Sequence, residues 1–339
     1  MFRNEKDRNS VADIQSVDSG SGSGHHVKEQ QNNLWRCGMK KNEFLHSLRG
    51  TKQKYKRLSL SPIRYAGGKS LAVGHIVEAL PNGIKRIISP FLGGGSIETA
   101  LNLRLGVEII ACDILEPLVI YWQQQINNPT DLYHELSKLR PDKETYKEVK
   151  NQLKRYWETK KGLSDLEVAT LYFFNHNLSY GPSFLGWASS VYLDEGRYKK
   201  MIERVRDFRT EASFKVSCES FEQLFEKYPT DFFYCDPPYM LKDDCPTSKM
   251  FAGIYPQRNF PTHHKGFNHG VLHACLENHK GGFVLSYNHC EKTTQLYKNY
   301  IKSHPTWQYT MGQGETRISF NRKEGTNIKL SHEILAVKI

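Results

Sequence analysis

The sequence predicts an α/β protein built on a doubly wound, mostly parallel sheet, and three observations carry that prediction. Short β-branched and aromatic runs alternate with longer helical patterns from residue 58 onward. A glycine-rich segment, Ser89-Pro-Phe-Leu-Gly-Gly-Gly-Ser96, stands where a strand feeds a helix, and Asp113 closes the next strand. An apolar strand runs directly into Asp236-Pro-Pro-Tyr239. Strands separated by helices return parallel to one another, and 339 residues suffice for about two domains.

Taken in order, residues 1–57 read as a disordered basic arm. They contain the run Asp18-Ser-Gly-Ser-Gly-Ser-Gly24, show almost no apolar periodicity, and hold twelve Lys and Arg against six Asp and Glu. Such an arm can lengthen dwell time on nucleic acid through phosphate contacts that salt screens, with a solvated tail of no specific role as the other reading. Residues 85–91 form a short buried strand, and Gly93 to Gly95 turn it into a helix beginning near Ser96. Residues 107–113 are a second strand, and helical patterns fill most of 114–178. The stretch 179–196 is aromatic, contains Gly and Ser, and reads as strand-like. Residues 214–218, 231–235 and 282–288 return to strand, and 306–338 reads as strands around a Gly-rich loop. The division is therefore an arm (1–57), a sheet domain (58–128 with 211–339), and an inserted helical and hairpin domain (129–210).

The net charge is +11, and no apolar run approaches the ~20 residues of a membrane span. Seven cysteines include no Cys-x-x-Cys pair, so neither a disulfide framework nor a zinc ribbon is indicated. The basic start is not followed by an apolar segment and cleavage site. The expectation is a soluble intracellular protein with reduced thiols, in a cytoplasm, a nucleus or a virus-infected cell, and not secreted. Four histidines at 263, 264, 269 and 273 are joined by no Cys or acid at ligand spacing, so no metal is expected.

The glycines after the first strand let backbone approach a ligand and offer helix amides to its polar groups. An acid at position 113 can accept both hydroxyls of a ribose, which points to an adenosine-containing cofactor. Tyr65-Ala-Gly-Gly-Lys-Ser70 invites a phosphate-loop reading, but that pattern needs glycine at position 63, which is Ile63. An aromatic, a glycine pair and a lysine can instead stack on a flat ring and place an ammonium near a carboxylate.

The sharpest signal is Asp236-Pro237-Pro238-Tyr239. Neither proline has an N–H, so the pair ends its strand and holds the chain extended, fixing its carbonyls and the Asp236 carboxylate as acceptors at the sheet edge. Those acceptors suit an exocyclic amino group. The adenine N6 lone pair is delocalised into the ring. If Asp236 and the Pro237 carbonyl each accept one N–H, the nitrogen is drawn towards tetrahedral geometry and can face a sulfonium methyl. Tyr239 would stack on a base that has left its duplex.

With these motifs in this order, the chain resembles the DNA adenine methyltransferase (Dam) family, the alpha-type amino-methyltransferases, over about residues 63–339. The resemblance implies a Rossmann-like methyltransferase sheet, S-adenosylmethionine as cofactor, and double-stranded DNA as partner, bound by a monomer or weak dimer. By this similarity Tyr65, Lys69, Pro90, Phe91, Gly93, Gly95, Ser96, Asp113 and Asp236 touch the cofactor. Phe221 resembles the aromatic covering its adenine, with a core aromatic as the other reading. His264-Lys-Gly-Phe-Asn-His269 and Ser286-Tyr-Asn-His289 resemble segments of restriction-modification and large algal virus enzymes. Family members often carry an acid before the Pro-Phe pair, where this chain has Ser89.

The stretch 175–200 resembles the family's recognition hairpin. Arg197, Tyr198 and Lys199 at its end are expected to contact DNA, chiefly by gripping phosphates, and Tyr180, Phe184 or Trp187 to fill the gap left by the extruded base. Phe184 stands where Dam-type enzymes carry a guanine-reading arginine, and Arg64 is a candidate for that contact. The polar stretch 242–268, with Lys265, is expected to order on DNA. The function implied is methylation of adenine N6 in a short, palindromic site, with base flipping. An RNA adenine or cytosine-N4 methyltransferase and a DNA-binding protein without turnover are the alternatives.

Overall fold

Strands whose two faces are both covered must be apolar at every position, and that is how the centre of this protein is built. The computed structural model describes residues 38–51, 53–248, 266–306 and 332–339. Within them the sheet strands are β1 (Arg86–Ser89), β2 (Glu108–Asp113), β3 (Phe214–Cys218), β4 (Phe233–Cys235), β5 (Phe283–Asn288), β6 (Ile301–Ser303) and β7 (Glu333–Lys338). They lie in the order β3-β2-β1-β4-β5-β7-β6. The first five pair in parallel, whereas β7 runs antiparallel between β5 and β6. The predicted doubly wound, mostly parallel sheet is thus present.

Period-two alternation divides the strand side chains between two hydrophobic clusters, one on each face. Ile87, Ala111, Tyr234 and Val284 enter the first. Their neighbours Ile88, Cys112, Phe233, Cys235 and Leu285 enter the second. The helices are α1 (Lys41–Ser47), α2 (Val73–Ala79), α3 (Ser96–Leu105), α4 (Glu116–Asn127), α5 (Pro129–Ser137), α6 (Lys143–Thr159), α7 (Asp165–Leu178), α8 (Glu195–Arg206), α9 (Phe221–Lys227), α10 (His269–Asn278) and α11 (Glu291–Tyr297). Their starts are written locally. Pro117 and Pro129 occupy first turns. Asp142 caps α6 on the Thr145 amide at 2.8 Å, and Ser164 with Glu167 closes a capping box on α7. The helices of 129–206 share the first hydrophobic cluster with the sheet, and α4 packs along α7.

Two expectations need correction. Residues 1–37 lie outside the described residues, but the arm assigned to 1–57 already folds from residue 38. Phe44 and Leu48, one turn apart on α1 and its cap, and Tyr55 are buried in the first cluster. The Met39 amide donates to the Arg104 carbonyl at 2.9 Å. Three well-spaced apolar residues among polar ones suffice, because Gly74 of α2 leaves the room that the Tyr55 ring fills: a Cβ there would lie 2.2 Å from it. Part of the basic charge is also spent internally, since Lys54 pairs with Glu78 at 2.7 Å. Secondly, 179–196 contains only an isolated bridge between Ser179 and Ala188, and Arg197 to Lys200 lie on α8. Among the described residues no helix is long and apolar enough to cross a membrane.

Candidate active site

Strand order reverses between β1 and β4, and their carboxyl ends open on one crevice. The loop 90–95 leaves β1 there and Asp236 to Tyr239 leave β4. Asp113 ends β2 at the same edge, and Phe221 opens α9 after β3. Topology alone therefore gathers four of the sequence motifs.

The fifth, Tyr65 to Lys69, enters from the chain before α2. The Lys69 ammonium lies 2.6 and 2.7 Å from the two Asp236 oxygens, with the lysine only 4 % exposed. Burial pushes the Asp236 carboxyl up, and the Lys69 ammonium opposes that shift without cancelling it. Pro237 is buried beside it. Tyr239 is buried too: its hydroxyl donates to Glu333 of β7, and the Lys69 ammonium lies 4.8 Å from its ring centroid. The exit from the motif is held by Asn288, whose side chain accepts from the Met240 amide at 2.9 Å and donates to the Met240 carbonyl at 3.0 Å.

The glycine loop owes its composition in part to two aromatic rings. Gly93 and Gly95 adopt left-handed φ of 47° and 59°. A Cβ on Gly94 would lie 2.5 Å from Tyr65, and one on Gly95 would lie 2.6 Å from Trp122. The Trp122 indole donates to the Gly93 carbonyl at 2.9 Å. Tyr65 in turn stacks on His176 with centroids 5.6 Å apart, and His176 on Tyr172 at 5.2 Å. Burial drives the His176 pKa down to about 3, so the ring is neutral. The Asp113 carboxylate accepts from the Gly93 amide at 3.1 Å and the Leu115 amide at 3.0 Å, which leaves further lone pairs on both oxygens. Ser96 opens α3 beneath the loop, and a Cβ on Gly68 would lie 3.7 Å from its hydroxyl.

Four site residues escaped the sequence reading. Glu98, on the first turn of α3, is buried and accepts from the Ser89 hydroxyl at 2.6 Å. Burial pushes its pKa up to about 7, and the nearby Asp236 charge adds to this. Phe267 joins Phe91 and Phe221 in a triad with centroids 5.5 to 5.7 Å apart. Asn288 and Glu333 brace the motif as described. The hints in the sequence were a polar residue inside an apolar pattern at 98, 288 and 333, and the family-like segments 264–269 and 286–289, which contain Phe267 and Asn288 without giving either a role.

The recognition residues divide. Tyr180 and Trp187 are 66 % and 69 % exposed, and the Tyr180 amide donates to the Trp187 carbonyl at 2.7 Å. Lys150 lies 5.2 Å from the Trp187 ring centroid. Arg197 and Lys199 are exposed on α8, but Tyr198 between them is not available to DNA. Its ring is buried and its hydroxyl donates to the Leu136 carbonyl at 2.8 Å, because helical spacing turns it inward with Ile202 and Val205. Phe184 does not project either: it packs edge-on to Trp157 at 5.3 Å. Arg64 is engaged within the chain, donating to the Asn177 carbonyl and lying 3.4 Å over the Tyr192 ring, so it does not extend towards a base edge. His269 faces neither solvent nor a phosphate: it is buried with Tyr287 and Asp244 as partners. Lys265 lies outside the described residues. Among those residues no group of three His, Cys, Asp or Glu is placed to hold a metal ion.

Comparison with known proteins agrees with this geometry. The chain is 29 % identical over 196 residues to the Type II methyltransferase M.MjaIII of Methanocaldococcus jannaschii, covering 52 % of this chain and 68 % of that protein. It is 26 % identical over 188 residues to the DNA N-6-adenine-methyltransferase of Escherichia phage P1, and 28 % identical over 204 residues to the Type II methyltransferase M.FokI of Planomicrobium okeanokoites. Those two matches cover 53 % of this chain in each case, but only 24 % and 29 % of the respective relatives. The sequence model of the D12 class N6 adenine-specific DNA methyltransferases matches residues 65–311, from the aromatic that roofs the glycine loop to a point beyond β6. The chain belongs to the D12 class N6 adenine-specific DNA methyltransferase family.

Proposed function

We propose that this protein transfers a methyl group from S-adenosylmethionine to N6 of adenine in a short, palindromic double-stranded DNA site, with the target base rotated out of the helix. The observation that carries the reading is the partly buried Asp236 carboxyl paired with the Lys69 ammonium, beside a proline carbonyl, at the switch point of the sheet. When bound, S-adenosylmethionine supplies an electrophilic methyl group on a sulfonium. The residues present suit it: Asp113 offers lone pairs to ribose hydroxyls, the loop 93–95 offers backbone, and Phe91, Phe221 and Phe267 offer an apolar wall.

In this reading Asp236 and the Pro237 carbonyl each accept one N–H of the adenine amine, and so hold the nitrogen where its lone pair meets the methyl. Asp236 then takes the proton that the nitrogen releases. Lys69 keeps Asp236 an acceptor beforehand, and Glu333 and Asn288 keep the motif still. Residues 129–210 read the target. Tyr180 and Trp187 are the rings placed to fill the vacated stack, while Arg197 and Lys199 contact phosphates.

Tritiated S-adenosylmethionine offered with duplex DNA and with RNA, alongside plasmid challenge by adenine-methylation-sensitive restriction enzymes, tests the reading. Label is expected in DNA as N6-methyladenine; label confined to RNA, or to cytosine, refutes it. Replacing Arg197 and Lys199 together by alanine is expected to weaken DNA binding across sequences. The slope of log affinity against log salt should fall by about 2. Titrations at several salt concentrations check this, and loss confined to one base position would contradict phosphate contact.

A further inference from the structure

The mechanism above leaves one buried acid at the crevice without a task. Glu98 is 2 % exposed, and its carboxylate is aimed at the carboxyl end of β1 by the Ser89 hydroxyl at 2.6 Å. Among the described residues no lysine, arginine or histidine pairs with it. The neighbouring acid, Asp236, has Lys69. A carboxylate held out of water without a cation is costly, and chains keep one where a cation arrives.

S-adenosylmethionine brings two positive groups, a sulfonium and an α-ammonium. The sulfonium must face the amine held by Asp236. The ammonium, at the other end of the amino-acid moiety, needs its own counter-charge. Asp113 stands at the end of β2, on the far side of β1 from Asp236, and serves the nucleoside end in the reading above. Of the other carboxylates at this edge, Glu333 is engaged by Tyr239 and Glu219 by Lys227, which leaves Glu98, adjacent to the strand from which the cofactor loop departs. We propose that Glu98, oriented by Ser89, is the binding residue for the cofactor's α-ammonium group. This rests on the cofactor reading given under Proposed function. The bound ammonium ends the isolation of the acid, so Glu98 is ionised in the complex.

Calorimetric titration of the full chain with three nucleosides tests it: S-adenosylhomocysteine, its deaminated analogue with hydrogen in place of the amino group, and 5′-methylthioadenosine, which lacks the amino-acid moiety. The wild type is expected to bind S-adenosylhomocysteine about 10- to 100-fold more tightly than the deaminated analogue. Glu98→Gln is expected to lose that preference while binding 5′-methylthioadenosine as the wild type does. Ser89→Ala, which keeps the charge but not its orientation, should lose part of the preference. It provides the readout if Glu98→Gln melts at a markedly lower temperature. A variant that loses affinity for all three nucleosides equally assigns Glu98 to structure and overturns the proposal. So does an unchanged preference in both variants. A wild type that binds none of the three overturns the cofactor reading itself, a result distinct from either.

Discussion

Asp236→Ala is expected to lower methyl transfer by at least about 10³-fold while DNA binding persists. In the proposed reading the carboxylate is an acceptor that positions the amine and receives its proton, and preorganised groups of that kind are commonly worth ~10²–10³ or more in rate. DNA contacts in the proposed reading come from 129–210, which does not include Asp236. Single-turnover transfer of tritium, with gel-shift titration of the same duplex, checks both halves. Undiminished turnover would refute the mechanism. The variant also strands the buried Lys69 ammonium, so a loss of about 2–3 kcal/mol in stability is expected by urea melts. The partner substitution has a signed consequence. Lys69→Met removes the charge that holds the Asp236 carboxyl down against burial. The proton is then gained at higher pH, and the acidic limb of the rate profile should move upward. A limb that stays in place or moves down would show that Lys69 does not govern the ionisation of Asp236.

Gly95→Ala carries the second large effect. The residue sits at φ 59°, where an L side chain costs about 1 kcal/mol or more. Its new Cβ would lie 2.6 Å from Trp122. Trp122 has no room to yield, being fully buried and tied to the Gly93 carbonyl. Overpacking of this kind costs a further ~1–3 kcal/mol. The expected sum is about 3 kcal/mol by urea denaturation, with loss of S-adenosylhomocysteine binding because the loop must shift. Gly67→Ala is the matched control. It too has a positive φ, 77°, but nothing lies within 4 Å of its Cβ position, so only the smaller conformational cost applies. Equal losses in the two variants would show that the Trp122 contact is not the cause.

The parts of this protein that could be read from its residues are those encoded contiguously. Four strands were recognisable because central parallel strands are apolar on both faces, the edge strand β3 by its alternation, and the motif at 236–239 because a strand, an acid and two prolines adjoin. What escaped depends on partners distant in sequence. Glu98 looks like an ordinary first-turn acid until Ser89, nine residues away, is seen to face it. Tyr198 stands among charges and was assigned to DNA, although its spacing to Ile202 and Val205 already placed it on the inner face. Residues 38–57 carry too few apolar positions for a periodicity to be visible, yet Tyr55 has a berth waiting at Gly74. Strand β6, three residues long and largely exposed, offered no pattern at all.

The hydroxyl of Tyr239 is anchored by a residue 94 positions later, on a strand that slots between two others. On a translating ribosome, at roughly 5–20 amino acids per second, the nascent chain exposes the tetrapeptide 236–239 several seconds before that anchor emerges. The pocket around Tyr239 is thus braced only after β7 has been made, and the shorter nascent polypeptide lacks that anchor.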